Sequence, residues 1–152
     1  MKGINFRIYN AFNPIPSFEK QTLIEFIHKN YKEQSSLLNI KKSVAYAIKD
    51  RFIINSSYSH GGVIILACDK SDIVGGLVLN KTGLDEIYPE NIIMYIATET
   101  SYRMNGIARK MIQLAREFSN GGITIYIHPN NPNSQFLSKS GFNNSMLQMK
   151  LV

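Results

Sequence analysis

Arg103-Met104-Asn105-Gly106-Ile107-Ala108 follows an apolar, β-branched run ending in Thr98-Glu99 and leads into Ile107, Ala108, Met111 and Ile112 at helical spacing. Such a turn between a buried strand and a helix is basic and has little side-chain bulk. Its backbone N–H groups can converge on one point with a helix N-terminus behind them, and that geometry favours a phosphate. The chemistry indicated is anion binding; a plain tight connection is the competing reading of the same residues. Two common nucleotide loops do not fit. A dinucleotide fingerprint needs G-x-G-x-x-G and a later acid, and a P-loop needs Gly-Lys-Ser/Thr; neither pattern occurs here.

Other chemistry-bearing residue types are sparse. His128 has a side chain whose reference pKa, near 6.5, suits proton exchange, although a strand-end histidine bonded to backbone is the preferred account. Cys68 is the only cysteine and closes the run Val63-Ile64-Ile65-Leu66-Ala67, so a buried thiol is expected rather than a catalytic one. No His-x-x-x-His or cysteine pair is present, and no metal site is expected.

The elements that must position these residues follow from periodicity. Residues 3–9 alternate as an edge strand, and 17–31 carry a helical stripe of Phe18, Leu23, Ile24, Ile27 and Tyr31. A second helix starts near Ser36 and buries Leu37, Ile40, Val44, Ile48 and Phe52. Residues 63–67 and 73–79 flank the polar turn Asp69-Lys70-Ser71-Asp72 as a hairpin, and Gly75-Gly76 inside it implies a bulge or a close backbone approach. Residues 92–99 form a strand, and the next helix buries Ile107, Ala108, Met111, Ile112, Ala115 and Phe118. Residues 123–128 alternate with Thr124, Tyr126 and His128 on one face, a short helix holds Phe136 and Leu137, and 146–152 reads as a last strand. A right-handed crossover makes 92–99 and 123–128 parallel, placing Arg103 and His128 near one edge of the sheet, where ligands of open sheets bind. The fold class is α+β with an α/β-like core: a mixed central sheet flanked by helices.

The chain of 152 residues, 44% hydrophobic and 18% charged, fits one domain over 1–152. Its net charge of +6 favours anionic partners, but the basic residues are scattered, so specific nucleic-acid binding is not expected. No secretory h-region or membrane-length apolar run is visible; a cytoplasmic location and no membrane partner are expected.

At Tyr102-Arg103-Met104-Asn105-Gly106-Ile107-Ala108 the chain resembles the GCN5-related N-acetyltransferase (GNAT) family, whose motif is Arg/Gln-x-x-Gly-x-Gly/Ala after a strand. Ile127-His128-Pro129-Asn130 with Phe136-Leu137-Ser138-Lys139-Ser140-Gly141-Phe142 is similar to a second family pattern. The resemblance implies the acyl-CoA N-acyltransferase fold and acetyl-CoA as acyl donor. It assigns the diphosphate to the amides of Arg103, Met104, Asn105, Gly106, Ile107 and Ala108, and the pantetheine arm to Ile96, Ala97, Thr98 and Glu99. Asn130 and Phe136 would also contact the cofactor. The thioester would lie where strands 92–99 and 123–128 split.

Direct attack by an amine on that thioester then needs a general base, for which Glu99 leads, against a merely solvated strand-end carboxylate. The usual acid, a tyrosine four residues before Gly141, is Leu137 here; Tyr126 or Tyr102 is the substitute, and His128 the other titratable candidate. Met104 replaces a frequent glycine. The acceptor, a small-molecule amine or an exposed protein amine, would meet Tyr31, Tyr58, Glu86, Tyr88 and Glu90. Ten residues follow Phe142, so the sheet either leaves the acceptor pocket open or is completed by a second subunit in a homodimer. The alternative to an enzyme is a catalytically weakened CoA-binding regulatory or interaction module.

Overall fold

Residues 62–81 form the central hairpin of a five-stranded sheet because their two apolar runs can be buried on both faces at once. The computed structural model describes residues 3–31, 40–51, 61–84, 89–128, 130–149 and 151, with backbone alone for Ile40 and residues 49–51. The elements are β1 (Ile4–Tyr9), α1 (Ser17–Tyr31), α2 (Ile40–Arg51), β2 (Gly62–Asp69), β3 (Asp72–Lys81), β4 (Asn91–Thr98), α3 (Ile107–Glu117), β5 (Ile123–Ile125) and α4 (Ser134–Lys139). Strand order is β1-β2-β3-β4-β5; all neighbours are antiparallel except β4 and β5, which α3 joins as a parallel pair. This is the mixed, helix-flanked sheet that the sequence predicts.

Period-two alternation divides the sheet between two cores. Ile64, Leu66, Cys68, Val78 and Ala97 face α1 and α2, meeting Leu23, Phe26, Ile27, Val44 and Ile48. Val63, Ile65, Ala67, Leu77 and Leu79 face the other way, toward Ile107, Met111, Ala115 and Leu137. Cys68 is buried among apolar neighbours, and that burial pushes its thiol pKa up, as a structural rather than a reactive cysteine requires.

Of the two readings of Gly75-Gly76, the bulge is present, directly before the pair, and the close approach is made by helix side chains and not by backbone. The register shifts between Ala67 and Cys68, skipping Val74, and the two glycines let helices close on β3 from opposite sides. A Cβ on Gly75 would lie 3.0 Å from Ile107 Cγ2 and 3.1 Å from Ala67 Cβ; one on Gly76 would lie 2.6 Å from Leu23 Cδ1. Ile107 is the first residue of α3, so Gly75 fixes how closely that helix start approaches the sheet. Gly75→Val is expected to cost about 1–3 kcal/mol through overpacking, read as a lower urea midpoint; an unchanged midpoint would contradict the close packing.

Three expectations need correction. Met146 to Val152 is not a strand where it is described: residues 143–149 are irregular, with Leu147 and Met149 exposed, because no neighbouring strand offers them a ladder. The strand expected at 123–128 ends at Ile125, since pairing with β4 stops there, and Tyr126 is 57% exposed. Phe18 and Phe118 lie outside the helical stripes and are exposed, while Phe26 and Leu114 are buried in their place. Leu37 and Phe52 lie outside the described residues.

Candidate active site

The connection from β4 to α3 spends its first amides internally: the Tyr102 N–H bonds Glu99 O at 2.9 Å and the Arg103 N–H bonds Thr100 O at 3.3 Å, so the Arg103 amide expected to face a diphosphate is already engaged. The Glu99 N–H bonds the Val74 carbonyl at 2.9 Å, at the bulge of β3, and a 3-10 turn over Thr100–Tyr102 follows. The Tyr102 hydroxyl donates to Asp69 Oδ2 at 2.7 Å, which clamps the turn to the end of β2 and raises the phenol's pKa by holding its proton. That bond engages Tyr102 away from the proton-donor role considered for it. Met104 and Gly106 then adopt left-handed φ values of 66° and 79°. At Met104 this conformation costs about 1–2 kcal/mol. Its side chain projects fully into solvent, so the added carbon does not cover the turn.

The first bond of α3 in this turn runs from the Lys110 N–H to Gly106 O at 3.0 Å, so the amides of Ile107, Ala108 and Arg109 precede the helical ladder. No side chain caps this terminus and no acidic residue lies in its first turn. The helix dipole is therefore left to attract an anion. A Cβ on Gly106 would meet nothing within 4 Å, so the space above the turn is open. The Thr98 Oγ1 beside it is buried and without a partner. These features fit a ligand carrying phosphates and hydrogen-bonding groups.

Beyond Ile93, β4 approaches the turn with no strand of the described residues along its outer edge. It pairs with β5 only over Asn91–Ile93 and Ile123–Ile125, then runs on to Thr98. Met94 is skipped in the register with β3, and this irregularity lies where the two strands part. The split thus falls between the strands the sequence pointed to. Along the unpaired stretch lie Ile96, Ala97 and Thr98, leading directly into Glu99 and the turn.

Glu99 is partly buried and its Oε1 lies 3.2 Å from Lys29 Nζ in the last turn of α1. Tyr31, two residues further on, bonds the backbone of Ile96. Neither contact was visible in the sequence, because α1 and β4 are 65 to 70 residues apart. Tyr126 and His128 lie beyond the end of β5 and are exposed. His128 Nδ1 accepts from the Asn130 N–H at 3.4 Å, the backbone-bonded arrangement expected for a strand-end histidine. Among the described residues no hydrogen bond joins Tyr126 or His128 to Glu99.

Phe136 is half-buried against the α3-side core, and Asn130 is exposed in the preceding turn. Leu137 is 4% exposed and belongs to that same core. It has no hydroxyl and does not face the split as a donor. Of the acceptor residues, Glu90 instead braces the sheet, taking the Gly122 N–H at 2.6 Å. Tyr58, Glu86 and Tyr88 lie outside the described residues. An open groove of about 700 Å³ runs beside α1, with Glu25, Lys29, Lys41 and Asp72 among its walls; Lys29 links it to Glu99. Among the described residues no cluster of ligating side chains suits a metal ion, and no helix is long and apolar enough to cross a membrane.

Sheet, split and uncapped helix start define the acyl-CoA N-acyltransferase class of fold. The sequence profile of the acetyltransferase (GNAT) family matches residues 10–142, and the chain belongs to that family. No curated protein matches it significantly. An aminoglycoside N-acetyltransferase solved in complex with CoA superimposes with a TM-score of 0.69 at 11% identity, covering 99% of this chain and 96% of the other. An aminoglycoside antibiotic 6'-N-acetyltransferase from Acinetobacter baumannii gives 0.65 at 14% identity, with 99% and 97% covered. The ribosomal-protein-alanine N-acetyltransferase from Brucella melitensis biovar Abortus 2308 gives 0.63 at 11%, with 98% and 97% covered. At such identities the likeness is one of fold.

Proposed function

We propose that the chain, taken as one domain over 1–152, transfers an acetyl group from acetyl-CoA to a primary amine by direct attack on the thioester. One observation carries this reading: an uncapped, acid-free helix start follows a strand that, among the described residues, has no strand beside its outer edge beyond Ile93. The amides of residues 104–108 would hold the CoA diphosphate, the Arg103 N–H being engaged by Thr100 O. Ile96, Ala97 and Thr98 would hold the pantetheine arm, with Asn130 and Phe136 flanking it from beyond the split. Acetyl-CoA, when bound, supplies an acyl group activated as a thioester.

What remains for the protein is position, oxyanion support and proton handling. Glu99 takes the proton of the amine, directly or through water. Its exposed ion pair with Lys29 is of a kind that contributes about 0–1 kcal/mol, so a cationic acceptor can displace Lys29 at little cost. Tyr126 and His128, exposed beyond β5, are the candidate donors to the leaving thiol. The groove along α1 offers Asp72, and Glu25 once Lys41 at 2.7 Å is displaced from it, to a small-molecule amine or an exposed protein amine. A cytoplasmic setting suits the single, buried cysteine.

The buried Leu137 favours a second reading, a CoA-binding module without catalysis, since that position offers no proton. The two separate in one assay. Free thiol is followed over a broad amine panel with acetyl-CoA, and the product is identified by mass. Thiol release matched by an acetylated amine supports the enzyme; CoA binding with silence across the panel supports the module.

A further inference from the structure

Two side chains stand on the outer edge of β4 where a next strand would be. Because the Glu99 N–H turns toward β3, the alternation of the antiparallel ladder turns the peptide groups of Ile96 and Thr98 outward. The Tyr31 hydroxyl donates to Ile96 O at 3.0 Å and accepts from the Ile96 N–H at 3.2 Å. Arg103 Nε donates to Thr98 O at 3.2 Å. A single hydroxyl therefore makes the paired give-and-take that a residue of a neighbouring strand makes in a hydrogen-bonded pair. Tyr31 is held there by an edge-to-face contact with Tyr95, with ring centroids 5.8 Å apart, and burial raises its phenol pKa, keeping the proton it donates.

We infer that Tyr31 sets the affinity of the site for its acyl carrier: its hydroxyl occupies the Ile96 N–H and C=O that an amide-bearing chain needs in order to lie along β4, and such a ligand must displace it. The inference rests on the reading of the site as one for CoA. The pantetheine arm, with its two secondary amides, is the class of ligand concerned. A ligand engaging the turn at Gly106 alone does not compete with Tyr31.

Tyr31→Phe removes the hydroxyl while keeping the ring that meets Tyr95. Its free form leaves both Ile96 groups without their partner, so CoA is expected to bind about tenfold more tightly than to wild type by calorimetry. Adenosine bisphosphate lacking the pantetheine arm is expected to bind both proteins equally. Equal or weaker CoA binding by the folded variant overturns the inference, as does an equal gain for the bisphosphate. Failure of both folded proteins to take up CoA overturns the reading of the site and this inference with it, a result distinct from uptake at equal affinity. A second measurement needs no variant: in wild type carrying isotope-labelled tyrosine, the Tyr31 ring signals are expected to shift when CoA is added. Unchanged Tyr31 signals at saturating CoA overturn the displacement.

Discussion

Glu99→Gln is expected to lower the acetylation rate at saturating amine by about a hundredfold or more, the range that loss of a general base produces. The substitution is nearly isosteric and keeps a hydrogen-bond acceptor toward Lys29, so position changes little while proton affinity is lost. CoA affinity should remain within about threefold, because the proposal gives Glu99 the proton and gives the anion to the turn beyond it. Single-turnover rates beside a calorimetric Kd separate the two effects. An unchanged rate at saturating amine would remove Glu99 from the role of base and leave its pairing with Lys29 as a surface contact.

Gly106→Asp is expected to weaken CoA binding by about a hundredfold, equivalent to about 2.7 kcal/mol. The new carboxylate would stand at the N-cap of α3, in the open space above the turn. Two like charges about 4 Å apart at the effective dielectric of a protein surface repel by about 4 kcal/mol before salt screening, enough for the expected loss. Stability is expected to fall by about 1–2 kcal/mol, because the left-handed φ of 79° strains any side chain placed there, aspartate less than most, so binding is compared on the folded variant. Gly106→Asn supplies the neutral control, since it adds the same bulk without the charge. Equal losses for Asp and Asn would mean that the turn acts through shape rather than through its field.

Much of the scaffold was legible because the sequence repeats one instruction at several levels. In Val63 to Ala67 every residue is apolar, which only a strand covered on both faces requires, and β2 is buried on both faces. Gly75-Gly76 told of a bulge or a close backbone approach; the bulge is present beside the pair, and side chains of two helices make the approach. The turn at Arg103–Ala108 was readable because residue size and charge changed abruptly between two periodic segments. What failed to show was partnership. Alternation at Thr124, Tyr126 and His128 reads the same whether or not a neighbouring strand follows it, and β4 departs after Ile93. Residues 146–149 carry a strand pattern, yet they join no ladder among the described residues. Lys29 and Tyr31 gave no local sign of their roles, because α1 reaches the end of β4 only through the packing of Phe26 and Ile27 on the sheet.

The site's remaining chemistry depends on that packing. Helix α1 is braced at its start, where Arg7 and Tyr9 of β1 both bond Glu19, and its last turn delivers Lys29 and Tyr31 to β4. Burial and the neighbouring Glu19 push the Tyr9 phenol up to about 12, so this brace keeps its proton throughout the neutral range.

Calorimetric titration of the folded wild-type protein with CoA tests the central claim most directly. One molecule of CoA bound per chain, with affinity lost in Gly106→Asp and retained in Glu99→Gln, is the predicted result. No uptake by folded protein, or uptake that Gly106→Asp leaves untouched, would contradict an anion site made by the main chain where β4 passes into α3.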